Sequence, residues 1–311
     1  MIISASRRTD IPAHYSEWLF NRLREEYVLV RNPMNPHQIW NVNLSPDVVD
    51  GIVFWTKNPL PMMERIHKLD KYAYYFQFTL TPYERDIEPY LPSKELVILP
   101  AFQKLSQEIG RERVIWRYDP ILFTSKYTVK FHVATFESMV KRLAPYTEKC
   151  IISFLDFYKN VENNLTPFGI EESTTEMQYE IMQNFSEIAT KYGIEINICC
   201  ENINLEGLNV RHSRCIDKDL FERISGYKLK VDKDENQRQI CGCATSIDIG
   251  AYNTCLHGCK YCYANSNSQK AKTGFFAHDP ASPLLLGKVR KDDYILERKV
   301  SSMKDLQMSL F

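Results

Sequence analysis

Short β-branched and aromatic runs alternate with amphipathic stretches through the first two-thirds of the chain. The runs at 2–5, 51–56, 74–80, 114–117, 150–155 and 194–198 read as buried strands. Between them apolar residues recur at helical spacing. Pro12 stands where a first-turn proline falls, and Tyr15, Trp18, Leu19 and Leu23 follow it, predicting one helix. Phe102, Leu105 and Ile109 form a second stripe, stopped by Gly110. Val133, Phe136, Val140 and Leu143 form a third. Met177, Ile181, Phe185 and Ile188 form a fourth, stopped by Gly193. These stripes are core-facing and carry no chemistry.

Strand–helix alternation at this spacing predicts parallel β/α units. Six strands and a seventh candidate at 246–250 suggest an α/β fold, a full or partial (β/α) TIM-type barrel. An open doubly wound sheet is the alternative. No G-x-G-x-x-G follows a strand, so a dinucleotide-binding sheet loses its main support. The predicted layout is a barrel over 1–265 and an extension over 266–311. The barrel includes a stretch at 199–243 that binds a second metal or cluster, and a cysteine loop at 245–265.

In a barrel, chemistry collects at the C-terminal strand ends. Here those ends are polar: Ser6-Arg7-Arg8-Thr9-Asp10, Thr56-Lys57-Asn58, Thr79-Leu80-Thr81, Arg117-Tyr118-Asp119 and Cys199-Cys200-Glu201. Turns are polar in any fold, but charged groups at nearly every strand end are more than turns require. Arg8, Lys57, Arg117 and Glu201 are candidates for holding a cofactor or substrate. An internal ion-pair network is the competing reading.

Composition narrows the functional classes. The 311 residues carry 39 Lys+Arg and 39 Asp+Glu, so the formal net charge is zero. That argues against gripping nucleic acid by bulk charge, though not against a local basic groove. No run approaches the roughly 20 apolar residues of a membrane span, and the N-terminus lacks a signal-peptide pattern. A cytoplasmic location is expected. In that reducing compartment nine cysteines point to metal or catalysis rather than disulfides. None precedes Cys150, which falls in a strand and reads as a small core residue.

Cys255, Cys259 and Cys262 form a C-x3-C-x2-C triplet with Tyr261 directly before the third cysteine. Three thiolates so spaced fit a loop round one face of a [4Fe–4S] cluster and leave the fourth iron open. Zinc prefers paired C-x2-C units and four protein ligands. A zinc site or inert buried cysteines remain alternatives. His257, inside the loop, reads as solvent-facing rather than as a ligand or proton donor. Outside the triplet, Cys200, Cys215, Cys241 and Cys243 suggest a second site, an auxiliary iron–sulfur cluster or structural zinc. Cys199 neighbours Cys200 and could replace it.

The triplet resembles the signature of the radical S-adenosylmethionine superfamily, and Tyr263-Ala264-Asn265 resembles the residues directly after the third cysteine in many members. The resemblance implies that S-adenosylmethionine chelates the open iron and is reductively cleaved to a 5′-deoxyadenosyl radical. It also implies an electron donor such as flavodoxin or ferredoxin. In that superfamily the triplet comes after the first barrel strand; here it comes after the last. In a nearly closed barrel those two strands are neighbours. A circularly permuted barrel is therefore expected, with 246–250 beside 2–5. Phe54-Trp-Thr-Lys-Asn and Phe78-Thr-Leu-Thr with Asp86-Ile-Glu88-Pro89 resemble segments of spore photoproduct lyase and its relatives. Nearly the whole chain also resembles an uncharacterised bacterial family of unknown function.

The last five residues, with Gln307, Leu310 and Phe311 at anchor positions, resemble the peptide that docks bacterial replication and repair proteins on the DNA sliding clamp. A terminal Leu-Phe pair can equally fold back on its own domain. Three classes compete. One is a radical S-adenosylmethionine enzyme acting on a small molecule, peptide or modified nucleotide. Another is a DNA-lesion repair lyase recruited to the clamp. The last is a non-catalytic iron–sulfur or zinc redox protein, against which the polar strand ends count.

Overall fold

A computed structural model describes residues 1–305. Gln307, Leu310 and Phe311 lie outside the described residues. The strands in chain order are β1 (Ile2–Ala5), β2 (Tyr27–Arg31), β3 (Gln38–Asn43), β4 (Gly51–Thr56), β5 (Tyr74–Thr79), β6 (Val114–Ile121), β7 (Lys149–Phe154), β8 (Glu195–Ile198), β9 (Val210–His212), β10 (Ile247–Asp248) and β11 (Tyr294–Glu297).

Eight of them join in one sheet in the order β10-β1-β4-β5-β6-β7-β8-β9, and every pair is parallel. The expected α/β class and all six predicted strands are present. The last strand lies beside the first, with Ile3 opposite Ile247 and Ser4 opposite Asp248. Among the described residues no backbone pairing joins β9 to β10, so the sheet stays open at that seam. Four strands escaped the sequence reading. β2, β3 and β11 form a separate three-stranded sheet, and β3 buries only Ile39 and Val42 of its six residues. β9 is three residues long with one buried side chain.

One face of the large sheet packs on helices. Leu99–Ile109, Val129–Leu143 and Thr175–Lys191 bury the stripes the sequence predicted. Phe136 stacks on Phe185 at 3.8 Å and on Trp116 at 5.2 Å. Such pairs add about 0.5–1.5 kcal/mol each beyond area burial. Thr128 and Thr174 cap two of these helices, accepting from Phe131 N and Met177 N. Gly110 ends the first at φ 97°, where a side chain would be strained. The predicted helix after Pro12 is two helices, Ile11–His14 and Ser16–Glu25, because Tyr15 leaves helical geometry at φ −136°.

The opposite face is covered by the chain between β9 and β10. Ile2, Val53, Tyr75, Ile115 and Ile151 meet Ile216, Leu220, Phe221 and Leu229 in a second core. The fit is close: a Cβ on Gly51 would lie 2.1 Å from Cε1 of Phe221. Tyr75 Oη and Gln77 Nε2 both donate to the Cys215 carbonyl at 2.8 Å. The chain after β10 returns over the body: Trp18 Nε1 donates to Ser282 O, and the Met1 amine to Ser301 O. No described helix is long and apolar enough to cross a membrane.

Candidate metal centre

The period-two alternation of strands builds the site. The strands that meet the second core begin with an apolar residue on that face. Two and four residues on come Trp55 and Lys57, Gln77 and Thr79, and Arg117 and Asp119. The face therefore runs from an apolar floor to a polar rim at the C-terminal strand ends. At that rim Arg7, Arg8, Asp10, Trp55, Lys57 and Asp119 line a cleft of about 180 Å³ together with Cys255, Cys259 and Cys262.

The triplet loop is pinned from several sides. Lys260 N donates to Ile87 O at 2.9 Å, Asn160 Nδ2 to Cys262 O at 3.0 Å, and Asn265 Nδ2 to Cys255 O at 2.6 Å. Gly258 sits at φ 68°, and a Cβ there would lie 2.7 Å from the Tyr90 ring. Burial pushes all three thiols up, Cys259 to about 12 although Lys57 opposes it. Thiolates here would need a cation among them, such as a metal ion.

His257 is buried, not solvent-facing as expected. Its Nε2 meets Asp10 Oδ2 at 2.8 Å because the loop folds inward over the end of β1. The same carboxylate oxygen accepts from Lys57 N at 2.7 Å, while Oδ1 caps Ala13 N. Asp10 thus ties the β1 and β4 loops to the triplet loop. His14 lies against His257 with ring centroids 4.6 Å apart, and burial and that neighbour hold it down at about 4.

Glu88 is the buried hub beside the triplet. It accepts from Lys57 Nζ at 2.6 Å and Thr81 Oγ1 at 2.9 Å, pairs with Lys94, and accepts from the Tyr261 hydroxyl. Burial would raise its carboxyl, but Lys57 and Lys94 overcome it and hold it down at about 2. Arg8 is fixed by Asp248 at 3.0 Å. Asp248 also accepts from Ser4, Ser6 and Arg7 N, so β10 shapes the loop after β1. Arg117 pairs with Asp119 and also donates to Cys215 Sγ at 3.0 Å. Lys57 and Arg117 are in internal ion pairs, and Lys57 still lines the cleft. Glu201 does not: it accepts from Phe154 N at 2.9 Å at the edge of β7.

The second cysteine set is drawn together from the end of β8, the turn after β9 and the Cys241-Gly242-Cys243 hook. Cys199 joins Cys200, Cys215, Cys241 and Cys243, making five thiols in a ring. Cys199 Sγ lies 3.2 Å from Cys215 Sγ and 3.8 Å from Cys200 Sγ. Cys200, Cys241, Cys243 and Cys215 are near enough to perturb one another's thiols, and Ile216 N donates to Cys243 Sγ at 3.4 Å. Hydrogen bonds from Cys199 and Cys243, and then Arg117, lower Cys215; bonds from Cys200 and Cys243 lower Cys241 to about 3. Arg7 stacks on Trp55 at 5.2 Å between this ring and the cleft, close enough for its charge to be felt by Cys243, Cys215 and Cys241. Cys150 lies apart, fully buried in β7 as a core residue.

Among the described residues, the trios of metal-binding atoms within 4.8 Å of one another are His14, Cys255 and His257, and His37, Asp292 and Asp293. Neither cysteine set is that tight. A tetrahedral zinc with Zn–S bonds of about 2.3 Å holds its thiolates about 3.8 Å apart. The triplet is spread more widely than one such ion requires, whereas Cys199 lies at that spacing or closer to Cys200 and Cys215.

A family model described as a domain of unknown function, DUF1848, matches residues 2–264. The chain belongs to the DUF1848 family. The DUF1848 match opens on β1 and closes just after Cys262, so it takes in both cysteine sets. No curated protein matches the chain. Asp10, His14 and Asp248 are site residues that the sequence reading assigned no role, and Cys199 was offered only as a replacement for Cys200. Asp10 and Asp248 were findable as carboxylates at strand ends; nothing local marks His14.

Proposed function

We propose that this DUF1848 chain is a radical S-adenosylmethionine enzyme on a permuted, partial (β/α) barrel. The observation that carries the reading is the gathering of Cys255, Cys259 and Cys262 in one cleft, at the C-terminal ends of parallel strands, beside Lys57, Arg8 and Asp10. The spacing of the three sulfurs, wider than a single zinc requires, supports a [4Fe–4S] cluster. The second set, five thiols gathered around Cys199 and Cys215, would hold a second cluster or a structural zinc.

When bound, cluster and S-adenosylmethionine supply electron transfer and hydrogen abstraction; the protein supplies position and shelter. Lys57, oriented by Glu88, presents a fixed ammonium at the cleft wall, suited to a carboxylate. Arg8, held by Asp248, presents a second cation. Asp10 and His257 lock the triplet loop onto the β1 end, as outer partners orient metal ligands. Trp55, Tyr261 and Tyr263 wall the cleft with rings that exclude water. The substrate would be a small molecule or modified nucleotide, and a flavodoxin or ferredoxin would bring the electron.

The test is anaerobic reconstitution with iron and sulfide analysis, then dithionite and S-adenosylmethionine. The reading expects 5′-deoxyadenosine; a reconstituted cluster that yields none rejects it. A second reading has one observation behind it. His14, Cys255 and His257 are tight enough for a single ion. Metal analysis showing one zinc per chain and no sulfide would favour that non-catalytic alternative.

A further inference from the structure

Charges lining the cleft are settled in pairs, with one exception. Lys57 faces Glu88 at 2.6 Å, Arg8 faces Asp248 at 3.0 Å, and His257 meets Asp10 at 2.8 Å. Arg7 lines the same cleft, but among the described residues its guanidinium has no hydrogen-bond partner and no carboxylate within 4.0 Å. It sits over the Trp55 ring at 5.2 Å. The nearest carboxylate, Asp248, takes the Arg7 backbone N–H and is otherwise spent on Arg8, Ser4 and Ser6. The thiols of Cys215, Cys241 and Cys243 feel the Arg7 charge, but none is within hydrogen-bond reach of it. A guanidinium partly removed from water and left unpaired is completed by an incoming oxyanion.

The rim beside Arg7 is aromatic. Tyr158, Tyr252 and Tyr263 are 43%, 46% and 47% exposed, unusual for rings of that size. Each is held by a contact of its own. Tyr263 Oη donates to Arg7 O at 3.0 Å, Arg238 Nη2 donates to Tyr158 Oη at 2.9 Å, and Arg8 sits over Tyr252 at 5.3 Å. Tyr158 and Tyr263 are neighbours, with ring centroids 6.0 Å apart. Half-exposed rings fixed in place are platforms for a planar ligand. The charge count sets its size. A nucleic acid strand is held by several unspent cations along a groove, whereas this cleft offers one among the described residues. One cation and a few rings match one phosphate and one base.

We propose that Arg7 anchors the phosphate of a nucleoside monophosphate whose base stacks on the tyrosine rim, so that the cleft takes a mononucleotide and not a strand. The proposal rests on the reading of this cleft as the substrate site and names the substrate class. The planar fork of Arg7 suits two phosphate oxygens at once, which a lysine ammonium does not reproduce.

The experiment is calorimetric binding to the full chain after anaerobic reconstitution, with S-adenosylhomocysteine present in excess to occupy any adenosine site of the cofactor. The probes are the four ribonucleoside monophosphates, the matching nucleosides and an eight-residue oligothymidylate. At least one monophosphate should bind roughly 10–100-fold more tightly than its nucleoside. Arg7→Gln should erase that gain and leave nucleoside affinity unchanged, and Arg7→Lys should restore part of it. Tyr158→Ala should weaken a nucleoside and its monophosphate alike, by about 5-fold or more. Melting temperatures establish that each variant is folded. The proposal is overturned if no monophosphate gains over its nucleoside in the wild type, if Arg7→Gln keeps the gain, or if the oligonucleotide binds more tightly than the monomers. Loss of metal from the five-thiol ring in Arg7→Gln, with the phosphate gain intact, would assign Arg7 to the thiols instead and overturn it too. Formation of 5′-deoxyadenosine is measured separately. Its absence alongside an Arg7-dependent phosphate gain rejects the radical-enzyme reading and leaves the anchor standing, which separates the two failures.

Discussion

The two cysteine sets are opposite solutions to one problem. The triplet comes from a single loop of eight residues, Cys255 to Cys262, and everything else serves to hold that loop. The ring of five comes from three separate segments and exists only when those segments have packed against the sheet. A local set can be written into sequence as spacing, whereas a distributed one depends on the core beneath it. The triplet has three sulfurs, one fewer than a four-ligand site uses; the ring has five, one more. The first set should therefore be brittle toward ligand loss and supported by ion pairs. The second should tolerate some ligand loss but be sensitive to packing.

The largest expected effect falls on the triplet. Cys259→Ala should remove about four irons and abolish 5′-deoxyadenosine formation, measured by metal analysis and chromatography. The ring's tolerance of single substitution at Cys200 is the matching contrast. Next comes the buried hub. Glu88→Ala strips the shared carboxylate from Lys57 and Lys94 and should cost about 3–5 kcal/mol in urea unfolding. It should also weaken cluster retention at the triplet more than at the ring.

The packing beneath the ring is probed by Gly51→Ala. The new Cβ collides with the Phe221 ring, so about 1–3 kcal/mol should be lost. Phe221→Leu in the same chain should recover part of that loss, and iron at the ring should follow stability. Equal effects on both sites would break the comparison. The smallest effect is acid sensitivity. The Glu88 carboxyl is depressed from its ordinary 4.5 to about 2, so its contribution is complete above 4.5 and fades as pH falls toward 2. Melting temperature should decline across that window in the wild type, and more gently in Glu88→Gln.

How much of this was legible beforehand divides along the same line. The large sheet was readable because its strands are nearly continuous apolar runs, and the place of β10 beside β1 followed from the cysteine order. The small sheet was not, because β3 buries two of six side chains and β11 leaves all four exposed. The triplet was readable from spacing alone. The ring was half readable: its members were named, with Cys199 as an alternate to Cys200, but not that all five meet. That meeting depends on Tyr75 and Gln77 holding the Cys215 carbonyl across some 140 positions of sequence. His257 misled because a histidine in a loop looks exposed until Asp10, from the far end of the chain, is placed beneath it.

Asp248 on β10 shapes the loop after β1, and the Asp10 carboxylate from that same N-terminal region locks the triplet. A ribosome makes those partners at opposite ends of its work. Most of the strands, and the Glu88 hub, emerge long before Cys255 does. A growing chain can therefore fold most of its sheet while possessing no complete triplet cleft at all. If the proposed cluster binds there, its delivery would wait until translation has run past Cys262, and loading would double as a check that it has.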